Sequence, residues 1–119
     1  LLPLLTPAVG IAKIVEAPVL NEKTLLTTKG GIDLYINYKA TEQGVNPAVV
    51  KKVIACESEY NPNALGDEGH SRGLVQIHNK YHPEVSDEEA YDPAFAVGFL
   101  VQKLKEGQGK QWSCFRSMK

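Results

Sequence analysis

Glu57 closes an apolar stripe, Val50, Val53, Ile54, Glu57, at the i, i+3, i+4, i+7 spacing of one buried helix face. A carboxylate at such an edge costs free energy unless it is paired or put to use. The use open to it is acid–base work. Desolvation pushes a glutamate's pKa upward, so it can hold a proton near neutral pH and deliver it to a leaving oxygen. The bland alternative is a helix-terminal glutamate that turns into solvent. Ten residues on, "GDEG" brings a second carboxylate, Asp67. A second carboxylate close to such an acid could serve as a base. Gly-Asp is equally plain turn chemistry, the aspartate bonding its own backbone. Gln76, the one amide in the apolar run "GLVQIH", either meets a substrate or satisfies nearby backbone.

Other chemistries have less to stand on. His78 and His82 stand at i, i+4, a zinc spacing if both lie on one helix, but Pro83 follows and no third ligand is evident. No phosphate-binding loop or nucleophile elbow occurs. No metal and no cofactor are expected.

The elements that must place these groups are helical. "IDLYINYKATEQG" sets Ile32, Tyr35, Ile36 and Lys39 on one side, with Gly44 as C-terminal cap. Asn46 caps the next helix and Pro47 fills its first position. Asn61-Pro62 is expected to stop that helix, which leaves Glu57 in its last turn. Between Asn61 and Ser71 a turn or short hairpin is expected, and "GLVQIH" reads as strand or buried helix. Asp92-Pro93 opens a further helix with Phe95, Phe99, Leu100 or Val101, and Leu104 facing inward and Gly107 at its end. The fold class is therefore mainly α, a small helical domain with at most a short β-hairpin.

At 119 residues the chain has room for one small core. A formal net charge of −1 gives no footprint for nucleic acid. Basic residues gather late (Lys103, Lys105, Lys110, Arg116, Lys119) and acids gather in "EVSDEEAYD". These are either two solvated faces or one face suited to an anionic polymer. Residues 1–30 read as a leader or linker and 31–119 as the domain. "LLPLLTPAVGIA" looks like the end of a signal-peptide apolar region, too short and proline-broken to span a membrane; a packed segment is the alternative. Two cysteines, Cys56 and Cys114, suggest a disulfide if the chain is exported, and two small buried apolar residues if it is not.

Two stretches in order, "ESEYNPNA" (Glu57 to Ala64) and "GLVQI" (Gly73 to Ile77), resemble the lytic transglycosylase, or SLT-type, domains of the lysozyme-like superfamily. Val75 stands in the place of that family's methionine. "GVNPAVVKKVIACES" resembles the family's entry helix and "DPAFAVGFLVQKL" its supporting helix, so the resemblance covers roughly residues 32 to 114. It implies an α+β lysozyme-like fold and cleavage of the MurNAc–GlcNAc β-1,4 bond of peptidoglycan, with Glu57 as acid and then base. The substrate's N-acetyl group and the muramic acid C6 hydroxyl take the place of water, giving 1,6-anhydromuropeptides. By the same resemblance Gln76 bonds the sugar beside the scissile bond, Ser58 supports Glu57, and Tyr60 stands at the motif's aromatic place as a further substrate contact.

"GDEGHSRGLVQI" also resembles the goose-type lysozymes, where an aspartate at the place of Asp67 positions water. His78 stands where that pattern has a further aspartate. The Ala-Tyr-Asn-like motif of SLT domains is missing, and the chain runs instead through "WSCFRSMK", where Trp112 either walls a sugar site or closes the core. The expected protein is an exported monomer acting on peptidoglycan glycan strands. The rivals are a hydrolytic muramidase using Asp67 and a non-catalytic glycan-binding module.

Overall fold

The computed structural model describes residues 25–118. Most of the leader read from the sequence, residues 1–24, where a short helix near "GIAKIVEA" is also expected, lies outside the described residues, while 25–30 are described. Helix α1, Lys29–Gln43, starts where the Thr28 side chain accepts the Gly31 N–H, and ends where Gly44, at φ 75°, donates to the Ala40 and Thr41 carbonyls. Its buried line is Ile32, Ile36, Ala40, with Tyr35 and Lys39 half-buried beside it. Three residues later α2, Pro47–Ser58, begins with Asn46 accepting the Ala48 N–H. The short link forces α2 to pack on α1, and Val50, Val53 and Ile54 meet that helix in the core. Leu26, ahead of α1, is buried with them.

Helix α2 stops earlier than Asn61-Pro62 would require. Glu59 and Tyr60 both take left-handed backbone, at φ 53° and 63°, and the Glu59 N–H closes the helix on the Ala55 carbonyl. The chain then forms a meander of three two-residue strands, β1 (Leu65–Gly66), β2 (Ser71–Arg72) and β3 (Ile77–His78), paired antiparallel in that order. "GLVQIH" is thus mostly a turn, and only its last two residues are strand. Leu74, Val75 and Ile77 are fully buried even so, which explains the apolar run without a helix or a long strand.

Arg72 fastens this meander to the next helix. Its buried guanidinium donates to the Ile77 and Val85 carbonyls and to Asp87 Oδ1 at 2.8 Å. Ser86 and Glu89 form a capping box at the start of that helix, α3, Asp87–Tyr91. Asp92 caps α4, Pro93–Lys105. The buried face of α4 is Ala96, Val97, Leu100, Val101, rotated from the expected stripe, while Phe95, Phe99 and Leu104 rest against the core's edge. Gly107, at φ 78°, ends the helix by donating to the Leu104 carbonyl. A 3-10 turn, Gly109–Gln111, leads to α5, Ser113–Arg116, which returns to α2. A disulfide joins Cys56 to Cys114, Cα to Cα 6.0 Å. No described helix is long and apolar enough to cross a membrane.

Candidate active site

The last turn of α2, the start of the meander and Gln76 enclose a groove of about 600 Å³. Glu57 and Ser58 form its helical side, and Asn61, Leu65 and Gly66 the opposite one. Glu57 sits at the margin of the α2 stripe, half-buried, and its Oε2 accepts the Cys114 main-chain N–H at 3.3 Å. No other hydrogen bond or ion pair reaches this carboxylate among the described residues. Burial raises its pKa above the usual glutamate value; the Cys114 N–H opposes that rise, the Asp67 charge adds to it and the Arg116 charge opposes it. A carboxyl whose pKa is raised beside a groove is suited to act as a general acid.

Gln76 is held at φ 55°, and its Nε2 donates to the Gly73 carbonyl at 3.0 Å and the Ala64 carbonyl at 3.3 Å. Both amide hydrogens therefore satisfy local backbone, and Oε1 is left as an acceptor. Gly66 makes room for it: a Cβ there would lie 2.5 Å from Gln76 Oε1. Gln76 also lines a second hollow, shared with Ile77, His78, Tyr81, His82 and Trp112. The two hollows meet at this one side chain. Here the His78 ring stacks on His70 at 5.3 Å and meets the Tyr81 ring at a tilt of 33°, 4.4 Å away, and Tyr81 is 77% exposed.

The remaining residues expected at the site take several different places. Ser58 is buried and donates to the Ile54 carbonyl one turn back, so it lines the groove without bonding Glu57. Asp67, at φ 50°, accepts the Ser71 hydroxyl rather than bonding its own backbone, and acts on Glu57 through its charge. Tyr60 lines neither hollow. Its hydroxyl donates to Asp33 on α1 and its ring lies 4.5 Å from Lys29 Nζ, while burial and the Asp33 carboxylate push its own pKa up. Trp112 closes the core: it is only 5% exposed and donates Nε1–H to the Val75 carbonyl at 2.7 Å, and it is also among the residues that line the second hollow. His82 packs edge-on against Phe99. No group of three metal-ligating side chains occurs among the described residues.

Three further groups lie at the two hollows: Gly66 in the first, Tyr81 in the second, and the Cys114 N–H on Glu57. Gly66 and Tyr81 had a signal, in the Gly-Asp pair and in an aromatic flanked by histidines. The Cys114 N–H had none, because a main-chain donor carries no residue-type signature.

A helical domain with a small three-stranded sheet and one half-buried glutamate in a groove at their junction belongs to the lysozyme-like superfamily. Within it, the family model described as transglycosylase SLT domain matches residues 34–115, and the chain belongs to that family. No curated protein and no solved structure matches it.

Proposed function

We propose that this domain is an exported lytic transglycosylase that cleaves the MurNAc–GlcNAc β-1,4 bond of peptidoglycan with Glu57 alone. The carrying observation is a half-buried carboxyl in the groove wall with one oxygen bonded and the other open. Neutral Glu57 protonates the glycosidic oxygen as the bond to C1 breaks. The substrate's N-acetyl oxygen stabilises the positive charge that develops at C1. The Glu57 carboxylate then takes the proton of the C6 hydroxyl as that oxygen closes on C1, giving a 1,6-anhydro end and restoring the acid. Gln76 Oε1 accepts from the sugar beside the scissile bond. Export agrees with the Cys56–Cys114 disulfide, which persists in oxidising compartments.

A glycan strand lying in the groove passes Gln76 into the second hollow, where Tyr81 offers a ring face to a pyranose. Tyr81→Ala removes no core side chain. It is expected to raise KM for glycan strands about fivefold with kcat little changed, since an aromatic contact contributes roughly 0.5–1.5 kcal/mol. Steady-state kinetics on soluble strands check this.

The hydrolytic reading has one observation in its favour, the Asp67 charge acting on Glu57. Asp67→Asn separates the two. As a transglycosylase, the variant keeps release of soluble muropeptides from purified sacculi within about tenfold of wild type. Because the Asp67 charge holds the Glu57 pKa up, its removal also moves the alkaline limb of the pH profile to lower pH. A loss of a hundredfold or more would make Asp67 the water-positioning base.

A further inference from the structure

The disulfide sits against the acid on both sides. Cys56 precedes Glu57 in α2, and Cys114, across the bridge, supplies the only hydrogen bond that Glu57 receives among the described residues. We infer that the Cys56–Cys114 bridge is a positioning device: it keeps the Cys114 N–H on Oε2 of Glu57, so that the carboxyl's proton resides on Oε1. This rests on Glu57 being the acid of the proposed reaction.

A neutral carboxyl has one bare oxygen and one that carries hydrogen. An N–H donates best to the bare oxygen, so a donor fixed at Oε2 makes Oε2 the carbonyl and Oε1 the O–H donor. Oε1 has no protein partner and is the oxygen free to meet the glycosidic oxygen. When the proton leaves, the same N–H faces an anion, and a hydrogen bond to a charged group is roughly twice as strong as a neutral one. The contact therefore strengthens as the proton transfers, which is how a preorganised donor assists a reaction. When Glu57 later takes the C6 hydroxyl proton, Oε1 again receives it.

The donor needs a holder. At 3.3 Å the bond is long for N–H···O, so small backbone shifts would lose it. Helix α5 is only four residues long and has no buried residue, while Phe115 merely rests against the core. The Trp112 indole anchors the chain two residues earlier, and to the Val75 carbonyl of the meander turn rather than to α2. The bridge is what ties Cys114 itself to α2.

The test tracks the Cys114 amide resonance and the Glu57 side-chain carboxyl carbon of the full oxidised chain by NMR across pH. Asp67 and Arg116 are the other charges acting on Glu57, and they are left unchanged. Both signals are expected to trace one curve with one midpoint, and the amide curve is expected to flatten in Glu57→Gln. After reduction the Cys114 amide stops responding to Glu57 while the Trp112 indole N–H keeps its native position, and peptidoglycan release falls about tenfold. A Cys114 amide that stays flat while Glu57 titrates would overturn the inference. So would a coupled titration that survives reduction, or a reduced protein that loses the native indole signal, since the bridge would then hold the fold and not the carboxyl. Coupled titration in an oxidised protein that releases nothing from peptidoglycan would sink the proposed function alone and leave the placement of the proton upheld.

Discussion

Glu57→Gln is expected to lower muropeptide release by about a thousandfold or more, the range that removing a general acid produces, while the protein melts no lower than wild type at neutral pH. The amide keeps the side chain's size and can still accept the Cys114 N–H, so the groove is preserved. The stability arm has a definite sign. Burial raises the Glu57 pKa in the folded protein. The folded state thus binds the proton more tightly than the unfolded chain, and ionising Glu57 costs stability as pH rises from the ordinary glutamate value through the folded pKa. Below both values that cost is absent. Glutamine removes it, so the variant should equal wild type in acid and match or exceed it at neutral pH. Thermal melts at both ends of that window check the sign, and a variant that melts lower at neutral pH would mean that Glu57 is a structural anion.

Gly73→Ala is expected to destabilise the domain by about 3 kcal/mol or more and to disturb the site with it. Gly73 has φ 81°, and a Cβ there would stand 2.0 Å from the Ala90 carbonyl oxygen. That neighbour is backbone, so the meander or the end of α3 would have to move. The same residue receives the Gln76 amide on its carbonyl and donates to Ala64 at 2.8 Å, so movement displaces Gln76 from the groove. For a domain of this size the melting temperature should fall by roughly 15 °C. Gly44→Ala is the control: φ is 75° but nothing lies within 4 Å, so only the left-handed backbone cost of about 1 kcal/mol applies. Equal melting temperatures for the two variants would show that the close approach at Ala90 carries no energy.

The elements that place Glu57 were legible because their signals are local. Asn46-Pro47 and Asp92-Pro93 start helices where the side chains at once accept a first-turn N–H, and Gly44 ends one. A period of apolar residues in α2 was enough to set Glu57 at the boundary of the core. The parts that were not legible depend on tertiary partners. Arg72 is buried among carbonyls and Asp87 from fifteen residues away, and a lone arginine gives no sign of such a fate. Gln76 adopts a left-handed backbone that its own sequence does not favour, held by its two amide bonds and by the space that Gly66 leaves. Tyr60 stands close to Glu57 in a motif, yet its hydroxyl goes to Asp33 on another helix. The end of α2 was misjudged for the same reason: two left-handed residues close it before the proline is reached.

Catalysis by Glu57 alone is best tested by the mass of the products released from purified peptidoglycan by the oxidised protein, with Glu57→Gln beside it. It predicts muropeptides with 1,6-anhydro ends, lighter by one water than hydrolysis products, with their release from the variant lower by about a thousandfold or more. Products with ordinary reducing ends would contradict it and make the domain a hydrolase.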